Sequence, residues 1–311
     1  MPMLRVLLSL ALCVGLAQAA PFAYVPNERS GTISIIDTAA DTVAGELPGG
    51  KRPRGIAVSP DGKFLYVSDQ PASSLHVIDI AARAIVASIN LGQSPEGVGI
   101  SPDGRWVVVA VEESNSVAFI DTATRKLVQN LKVTGKNPEH AVFSPDNRWL
   151  YVSAEEGDVV DVIDAQAQKQ IGAVTVGVRP RGIGFLPDGS RAYVAGEEAN
   201  TVYAIDTATR TVRATIKAGV RANGIAVRPD GKRVFVSNGE GTVMAIDPAN
   251  DSVIATVRVG QRPWNMAITP DGKKLYVANG RSNSVSVIDA QTNEKLRDIA
   301  VGELPWGVVI R

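Results

Sequence analysis

Cysteine is almost absent from this 311-residue sequence, and its scarcity excludes several kinds of chemistry. The one cysteine, Cys13, lies in an N-terminal segment that has the pattern of an export signal. This segment has a positive charge at Arg5, an apolar run over residues 6–16 that is too short to span a bilayer, and an A-x-A cleavage pattern at 17–19. We therefore expect cleavage near Ala19 and a periplasmic protein without disulfides, thiolate chemistry or covalently attached haem.

Net charge and histidine are also lacking. Lysine and arginine total 32, and so do aspartate and glutamate, so no overall field would draw the protein to nucleic acid or to an anionic membrane. The sequence has no G-x-S-x-G elbow, no phosphate-binding G-x-x-x-x-G-K-S/T loop, no second long apolar span and no helical periodicity. With only two histidines, His76 and His140, neither a metal site nor a cofactor is predicted.

What the sequence does contain is a repeat. The dipeptide Ile-Asp recurs in steps of 41–43 residues, with its aspartate at positions 37, 79, 121, 164, 206, 247 and 289. A second marker, Pro-Asp-Gly or Pro-Asp-Asn, keeps the same step, with its proline at 60, 102, 145, 187, 229 and 270. Because two independent markers share one period, the repeat is a structural unit, and residues 20–311 hold close to seven copies of it.

Each unit is predicted to contain four short strands. In the segment "RGIAVSPDG" an apolar strand ends in a turn, where Pro60 presets φ, Asp61 bonds the local backbone and Gly62 takes a positive φ. The segments "KFLYVSD", "SLHVID" and "AIVASINL" follow as three further strands. A period of 40–45 residues with four strands per unit indicates an all-β, seven-bladed β-propeller of four-stranded antiparallel blades.

The two ends of the chain are predicted to complete one blade together. The chain ends in "LPWGVVIR", a first strand without a second, and residues 21–37 supply a second and third strand without a first. Pairing of these N- and C-terminal strands closes the ring and removes free sheet edges. We expect residues 20–311 to form a single domain and a monomer.

The segments that begin at 24, 66, 151, 193, 235 and 276, namely "YVPN", "YVSD", "YVSA", "YVAG", "FVSN" and "YVAN", resemble the repeat motif of YVTN-type β-propellers. Residues 260–289 and "LPWGVV" at 304–309 look closest to the propeller proteins associated with pyrroloquinoline-quinone-dependent catabolism. This resemblance implies an accessory of periplasmic quinoprotein alcohol oxidation. It transfers no site residues.

We expect a binding site at the channel mouth, where propellers commonly bind their ligands. The positions on either side of the proline that opens each first strand vary among the repeats, although the surrounding scaffold does not. His140 occupies a slot that other repeats fill with Gly or Asn. The predicted binding residues are Arg52, Arg54, Glu96, Glu139, His140, Arg181, Asn223, Arg262, Trp264 and Trp306.

Acidic pairs predict that this face is polarised. Three consecutive repeats carry the pairs 112–113, 155–156 and 197–198 between their second and third strands. The expected acidic sector includes His140, and the opposite sector holds the tryptophans with Arg52, Arg54 and Arg262. Three structural interpretations stay open: the glutamates are simply solvated, the arginines cross-link blades, and the tryptophans plug the channel. His76 is expected to be outward-facing or to lie between blades.

The leading functional hypothesis is a non-enzymatic binding or scaffold propeller, which takes a partner protein or small molecule of an exported redox pathway. A second hypothesis is a hydrolase- or lyase-like enzyme with Glu139 and His140 as acid–base groups. A third is nucleic-acid binding through Trp264, Trp306 and nearby arginines, which the near-zero charge disfavours. Glu96 together with Glu139 and His140 offers nitrogen and oxygen ligands, but too few histidines for a typical zinc or iron site.

Overall fold

The computed structural model describes residues 21–311, which fold into 28 strands joined by turns, with no helix among them. The predicted export signal and Cys13 lie outside the described residues. The strands form seven four-stranded sheets. Hence the described chain has no helix of the length and hydropathy that a membrane span requires.

The blades are numbered around the ring. Blade 1 contains β28 (Val309–Ile310), β1 (Phe22–Asn27), β2 (Thr32–Asp37) and β3 (Thr42–Pro48). Blade 2 contains β4 (Pro53–Val58), β5 (Phe64–Asp69), β6 (Ser74–Asp79) and β7 (Ala84–Asn90). Blade 3 contains β8 (Pro95–Ile100), β9 (Trp106–Val111), β10 (Ser116–Asp121) and β11 (Lys126–Lys132). Blade 4 contains β12 (Pro138–Phe143), β13 (Trp149–Ala154), β14 (Val159–Asp164) and β15 (Lys169–Thr175).

The remaining blades follow the same order. Blade 5 contains β16 (Pro180–Phe185), β17 (Arg191–Gly196), β18 (Thr201–Asp206) and β19 (Thr211–Lys217). Blade 6 contains β20 (Ala222–Val227), β21 (Val234–Asn238), β22 (Thr242–Asp247) and β23 (Ser252–Arg258). Blade 7 contains β24 (Pro263–Ile268), β25 (Lys274–Asn279), β26 (Ser284–Asp289) and β27 (Lys295–Ala300). The predicted all-β, seven-bladed propeller is confirmed.

The predicted closure of the ring is also confirmed. β28 pairs antiparallel with β1, so that Ala23 lies opposite Ile310 and Tyr24 opposite Val309. The backbone amide of Trp306 extends this pairing by donating to the carbonyl of Pro26 at 2.9 Å. The last strand of the chain is therefore the inner strand of blade 1, and it lies between the inner strands of blades 7 and 2.

The turns have the predicted chemistry. In the Pro-Asp-Gly turn of blade 2, Gly62 has φ of 72° and donates its N–H to Ser59, while Ser59 Oγ donates to Asp61 at 2.6 Å. The Ile-Asp aspartates act locally too: Asp121 Oδ1 accepts the backbone N–H of Thr124 at 2.7 Å. These aspartates stabilise the turns at the end of the propeller opposite the mouth, so they are structural residues.

Burial explains why the strands of one unit differ in composition. The second and third strands of each blade are packed between blades, and five of the six residues of β9 and of β10 are buried. The outermost strand β11 alternates between exposed and partly buried residues, as expected where one face meets solvent. Apolar clusters join neighbouring blades, such as Tyr66 of blade 2 with Val109 of blade 3. The core therefore runs between blades, and the centre of the ring is left as a channel.

The inner strands approach each other so closely that glycine is required. A Cβ on Gly55 or Gly97 would collide with the backbone carbonyl of the next blade, that of Glu96 or Glu139. The serine of the YVS segments bridges the same gap: Ser68 Oγ accepts the N–H of Gly55 at 2.9 Å and donates to the carbonyl of Glu96 at 2.7 Å. The repeat motif thus holds neighbouring inner strands in close contact.

Replacing Gly55 by alanine is expected to lower the free energy of unfolding by about 1–3 kcal/mol, because the new methyl group forces two inner strands apart. Gly172→Ala on the outer strand β15 is the matched control, since nothing lies within 4 Å of its added methyl group. Urea unfolding measures both. Equal stability of the two variants would contradict the close-approach explanation.

His76 is buried inside blade 2. Its Nε2 lies 3.1 Å from Asp69 Oδ2 and its Nδ1 lies 2.8 Å from Ser88 Oγ. Asp69 also accepts the backbone N–H of Lys51 at 2.6 Å. His76 therefore holds the loop that leads into β4, and it does not face the channel.

Candidate functional site

At the mouth, a residue in the left-handed backbone conformation comes directly before most of the inner strands. The residue before the strand's opening proline or alanine has φ between 51° and 60° in six blades, at Ser94, Asn137, Arg179, Arg221, Arg262 and Leu304. Its carbonyl accepts, at 2.8–3.0 Å, the N–H of the residue that follows the second strand of the same blade. Those donors are Glu28, Glu112, Glu155, Glu197, Gly239 and Gly280. This repeated bond places the first acid of each predicted pair at the mouth.

Arg181 is the centre of one ion-pair network there. Its guanidinium contacts Glu139 Oε1 and Glu155 Oε1, both at 2.5 Å, and Glu197 Oε2 at 2.8 Å. Glu197 also accepts from Arg262 at 2.7 Å, across from blade 7 to blade 5. The Arg181 side chain is only 13% exposed, so three carboxylates share one buried cation. The network thus joins blades 4, 5 and 7 at the mouth.

A second network surrounds Arg54. Its guanidinium pairs with Glu96 of blade 3 and lies 3.3 Å from Glu28 of blade 1, which also pairs with Arg52. Glu96 is 1% exposed, and its Oε1 also accepts from Gln70 at 3.0 Å. The other carboxyl oxygen, Oε2, is buried without a hydrogen-bond partner among residues 21–311. Arg54 thus links three blades, and one of the two carboxyl oxygens of Glu96 lacks a hydrogen bond.

Burial raises the pKa of Glu96 to about 9; the charge of Glu139 acts in the same direction and Arg54 acts against it. The carboxyl therefore keeps its proton at neutral pH. Burial, with help from Glu139, also raises the pKa of Glu155 to about 7, against the opposing charges of Arg181 and Arg179. The mouth is less anionic than its count of glutamates suggests.

The opposite balance holds for two other groups. Burial alone would raise the pKa of Glu197, but Arg181 and Arg262 outweigh it and the net pKa is lowered. Burial acts to lower the pKa of Arg181, yet the attraction of Glu139, Glu155 and Glu197 raises it overall. Arg181 and Glu197 are consequently a fixed charge pair at neutral pH.

His140 lies below these networks, in the channel itself. Its ring centroid is 5.7 Å from that of Trp306, with the two rings tilted by 33°. Both side chains line a cavity of about 140 Å³ together with Asn265, and apolar side chains and glycines form the rest of its wall. Burial lowers the pKa of His140 to about 4, so its imidazole is neutral at pH 7. The expected placement across the channel from Trp306 is seen as direct contact between the rings.

The tryptophans are not equivalent. Trp306 is 8% exposed and closes the channel centre against His140. Trp264 is partly exposed and covers Gly280, where an added Cβ would collide with the indole ring. Asn223 is 4% exposed and lies at the start of the blade 6 inner strand. Plugging of the channel, one of the structural interpretations left open above, describes Trp306 well.

The expected division into an acidic and a basic sector is replaced by interleaved charges. Arg54 and Arg262, expected in the basic sector, pair with Glu96 and Glu197, because long side chains span the narrow mouth. The acidic pairs divide instead by depth. Their first members, Glu112, Glu155 and Glu197, turn inward, and their second members, Glu113, Glu156 and Glu198, are exposed at the rim.

Arg179 pairs with Glu155, Glu197 and Glu198 and was not among the predicted site residues. Four further network residues were also not among them: Glu28, Gln70, Glu155 and Glu197. Their common signal is position, since each directly follows the second strand of its blade. Within the described residues, no three histidine, cysteine, aspartate or glutamate side chains are arranged to hold a metal ion. The mouth is therefore an ion-pair assembly, and the channel below it is a mostly apolar cavity.

A sequence model of the family described as "Lactonase, 7-bladed beta-propeller" matches residues 16–133 and 164–303, well over half of the chain. The chain belongs to this family. A comparison with curated protein sequences finds no match. Membership agrees with the blade number and with the propeller predicted from the repeat. The two matched ranges include residues of every blade.

Solved structures show the same fold at low identity. A chain of Kuenenia stuttgartiensis hydrazine synthase is 24% identical with a TM-score of 0.80, over 90% of this chain and 98% of that one. A functionally unknown Desulfotomaculum acetoxidans protein is 18% identical with a TM-score of 0.82, over 94% and 99%. The dihydro-heme d1 dehydrogenase NirN, in complex with DHE, is 16% identical with a TM-score of 0.69, over 95% and 76%. At these identities the likeness concerns the fold alone.

Proposed function

We propose that this member of the lactonase propeller family is an exported, non-enzymatic binding propeller that docks a partner protein at its channel mouth. The observation that carries the proposal is the division of the acidic pairs by depth. Glu113, Glu156 and Glu198 are exposed on three consecutive blades, above a buried network that holds the surface in place. Arg179 pairs with Glu198 at 3.2 Å, which leaves Glu113 and Glu156 as the main acidic groups of this patch. A patch of carboxylates favours a partner with a basic surface and accelerates its association.

The proposal also includes the pathway to which the partner protein belongs. The YVTN segments and the similarity to propellers of pyrroloquinoline-quinone-dependent catabolism support a periplasmic accessory of quinoprotein alcohol oxidation. One fold neighbour is named a dehydrogenase, so the scaffold occurs in a redox enzyme. In this proposal the partner is a basic protein of that exported pathway.

Charge reversal at the rim tests this function. The double variant Glu113→Lys/Glu156→Lys changes exposed side chains only, and it is expected to lose the partner in co-purification from the periplasm. Arg54 and Arg181 are unsuitable for such a test because both are buried in ion pairs. The matched control is Glu46→Lys/Glu294→Lys, two exposed sites away from the mouth. Equal partner recovery by the two double variants would refute docking at the rim.

The geometry does not favour the two alternative functions. Glu139 is paired with Arg181, and the neutral His140 with its lowered pKa is a weak general base. Trp306 is too buried to offer a free face for base stacking. Turnover of lactones or esters by the wild type that disappears in His140→Gly would replace the binding proposal with an enzymatic one.

A further inference from the structure

The channel below the mouth has polar side chains at its upper end and only apolar ones at its lower end, and docking at the rim requires neither. Its upper part is the cavity of about 140 Å³ at His140 and Trp306. Its lower part is a space of about 410 Å³ whose wall contains no polar side chain. Ile56, Val98, Val142 and Val308 line both spaces, so the two adjoin at these side chains.

The upper cavity contains the polar groups of this channel. The backbone N–H of His140 donates to Ser153 Oγ at 3.2 Å. The imidazole of His140 lines the cavity. Asn265 lines the same cavity from blade 7. Neither space is lined by aspartate, glutamate, lysine or arginine. A charged ligand would lose its hydration there without gaining a partner, which disfavours ions strongly.

An apolar cavity of about 150 Å³ in a protein interior can stay dry and take up a small apolar molecule, as an engineered cavity does with benzene. Ligand sites in general combine apolar walls with a few polar groups that set orientation. Here the walls are aliphatic and the polar groups are a neutral imidazole and an amide at one end.

We propose that the channel is a binding site for an uncharged amphiphilic small molecule, whose polar group hydrogen-bonds to His140 while its apolar body lies in the lower channel. This site is separate from the acidic rim and does not depend on partner docking. His140 stands where other blades have glycine or asparagine, so it supplies an imidazole that the scaffold does not require.

Titration calorimetry with 1-hexanol, hexanoate and hexylammonium tests the site in the wild-type protein. We expect 1-hexanol to bind at least about 100-fold more tightly than either ion, because desolvating a charge in this channel is costly. Along a series of 1-alkanols from butanol to decanol, affinity is expected to rise about fourfold per methylene until the lower channel is filled. Equal binding of alkanol and ions, or no alkanol binding, would overturn the proposal.

Two variants locate the bound molecule. His140→Gly is expected to weaken 1-hexanol about fivefold to tenfold by removing the hydrogen bond. Val142→Phe fills the space common to both parts of the channel and is expected to abolish binding, whereas Val128→Phe on the exposed outer strand β11 leaves it unchanged. Circular dichroism checks that each variant is folded. Undiminished binding by a folded Val142→Phe would also overturn the proposal, and the wild-type series decides the matter if that variant fails to fold.

Discussion

Replacing Arg181 by methionine is expected to lower the free energy of unfolding by about 3–5 kcal/mol. The substitution keeps most of the side-chain volume but removes the cation that Glu139, Glu155 and Glu197 share. Glu139 then has no ion-pair partner among residues 21–311, whereas Glu155 keeps Arg179 and Glu197 keeps Arg179 and Arg262. Breaking a buried ion pair by removing one partner costs far more than breaking a surface pair. Urea unfolding with an unchanged slope measures the loss.

Two comparisons separate this effect from a general loss of arginine. Arg29→Met is the control, since that side chain is 69% exposed and lies 3.8 Å from Glu303, and we expect a change within about 1 kcal/mol. Adding Glu139→Gln and Glu155→Gln to Arg181→Met should restore part of the stability, because these neutral amides need no cation. If Arg181→Met costs no more than Arg29→Met, the network does not stabilise the mouth.

The second large effect concerns pH. Wild-type stability is expected to fall between pH 7 and pH 9 relative to the Glu96→Gln variant, with a slope of up to about 1.4 kcal/mol per pH unit. Burial raises the pKa of Glu96 in the folded protein to about 9, whereas the unfolded carboxyl titrates near its ordinary pKa of 4.5. Between these values the folded state holds a proton that the unfolded state has lost, so a rise in pH favours unfolding.

The window from pH 7 to pH 9 isolates Glu96. The raised pKa of Glu155, about 7, acts mainly below this window. The lowered pKa of His140, about 4, makes stability rise with pH only between about 4 and the ordinary histidine pKa of 6.5. Chemical unfolding across pH 5–9 gives the curves, and the exposed neighbour Glu113→Gln serves as control. Parallel curves for wild type and Glu96→Gln above pH 7 would contradict a proton held at Glu96.

The fold was predictable because its causes are local and repeated. Pro60, Asp61 and Gly62 form their turn whatever surrounds them, and a period shared by two markers predicts identical blades. Closure followed from unpaired strand patterns at the two ends, which β1 and β28 confirm. Each inference rests on a few neighbouring residues whose preferences do not depend on distant parts of the chain.

The site was predictable in position only. The slots beside the opening proline do lie at the mouth, yet whether those residues form a binding site stays a prediction. The sequence also contained the signal for Glu155 and Glu197, which follow second strands, but not the left-handed backbone at Arg179 that draws Glu197 inward. Arginine takes that conformation rarely, so local sequence preferences do not predict it.

The sequence by itself determined the number of blades, the four strands in each, the turns and the way in which the ring closes. Only the tertiary structure decided which charges meet, because Arg262 and Glu197 are 65 positions apart in the chain and come together across the mouth. It also decided that His140 and Trp306 close one cavity, and that Glu96 is buried deeply enough to keep a proton. Side-chain reach and desolvation depend on three-dimensional distance, and the repeat period carries no information about either.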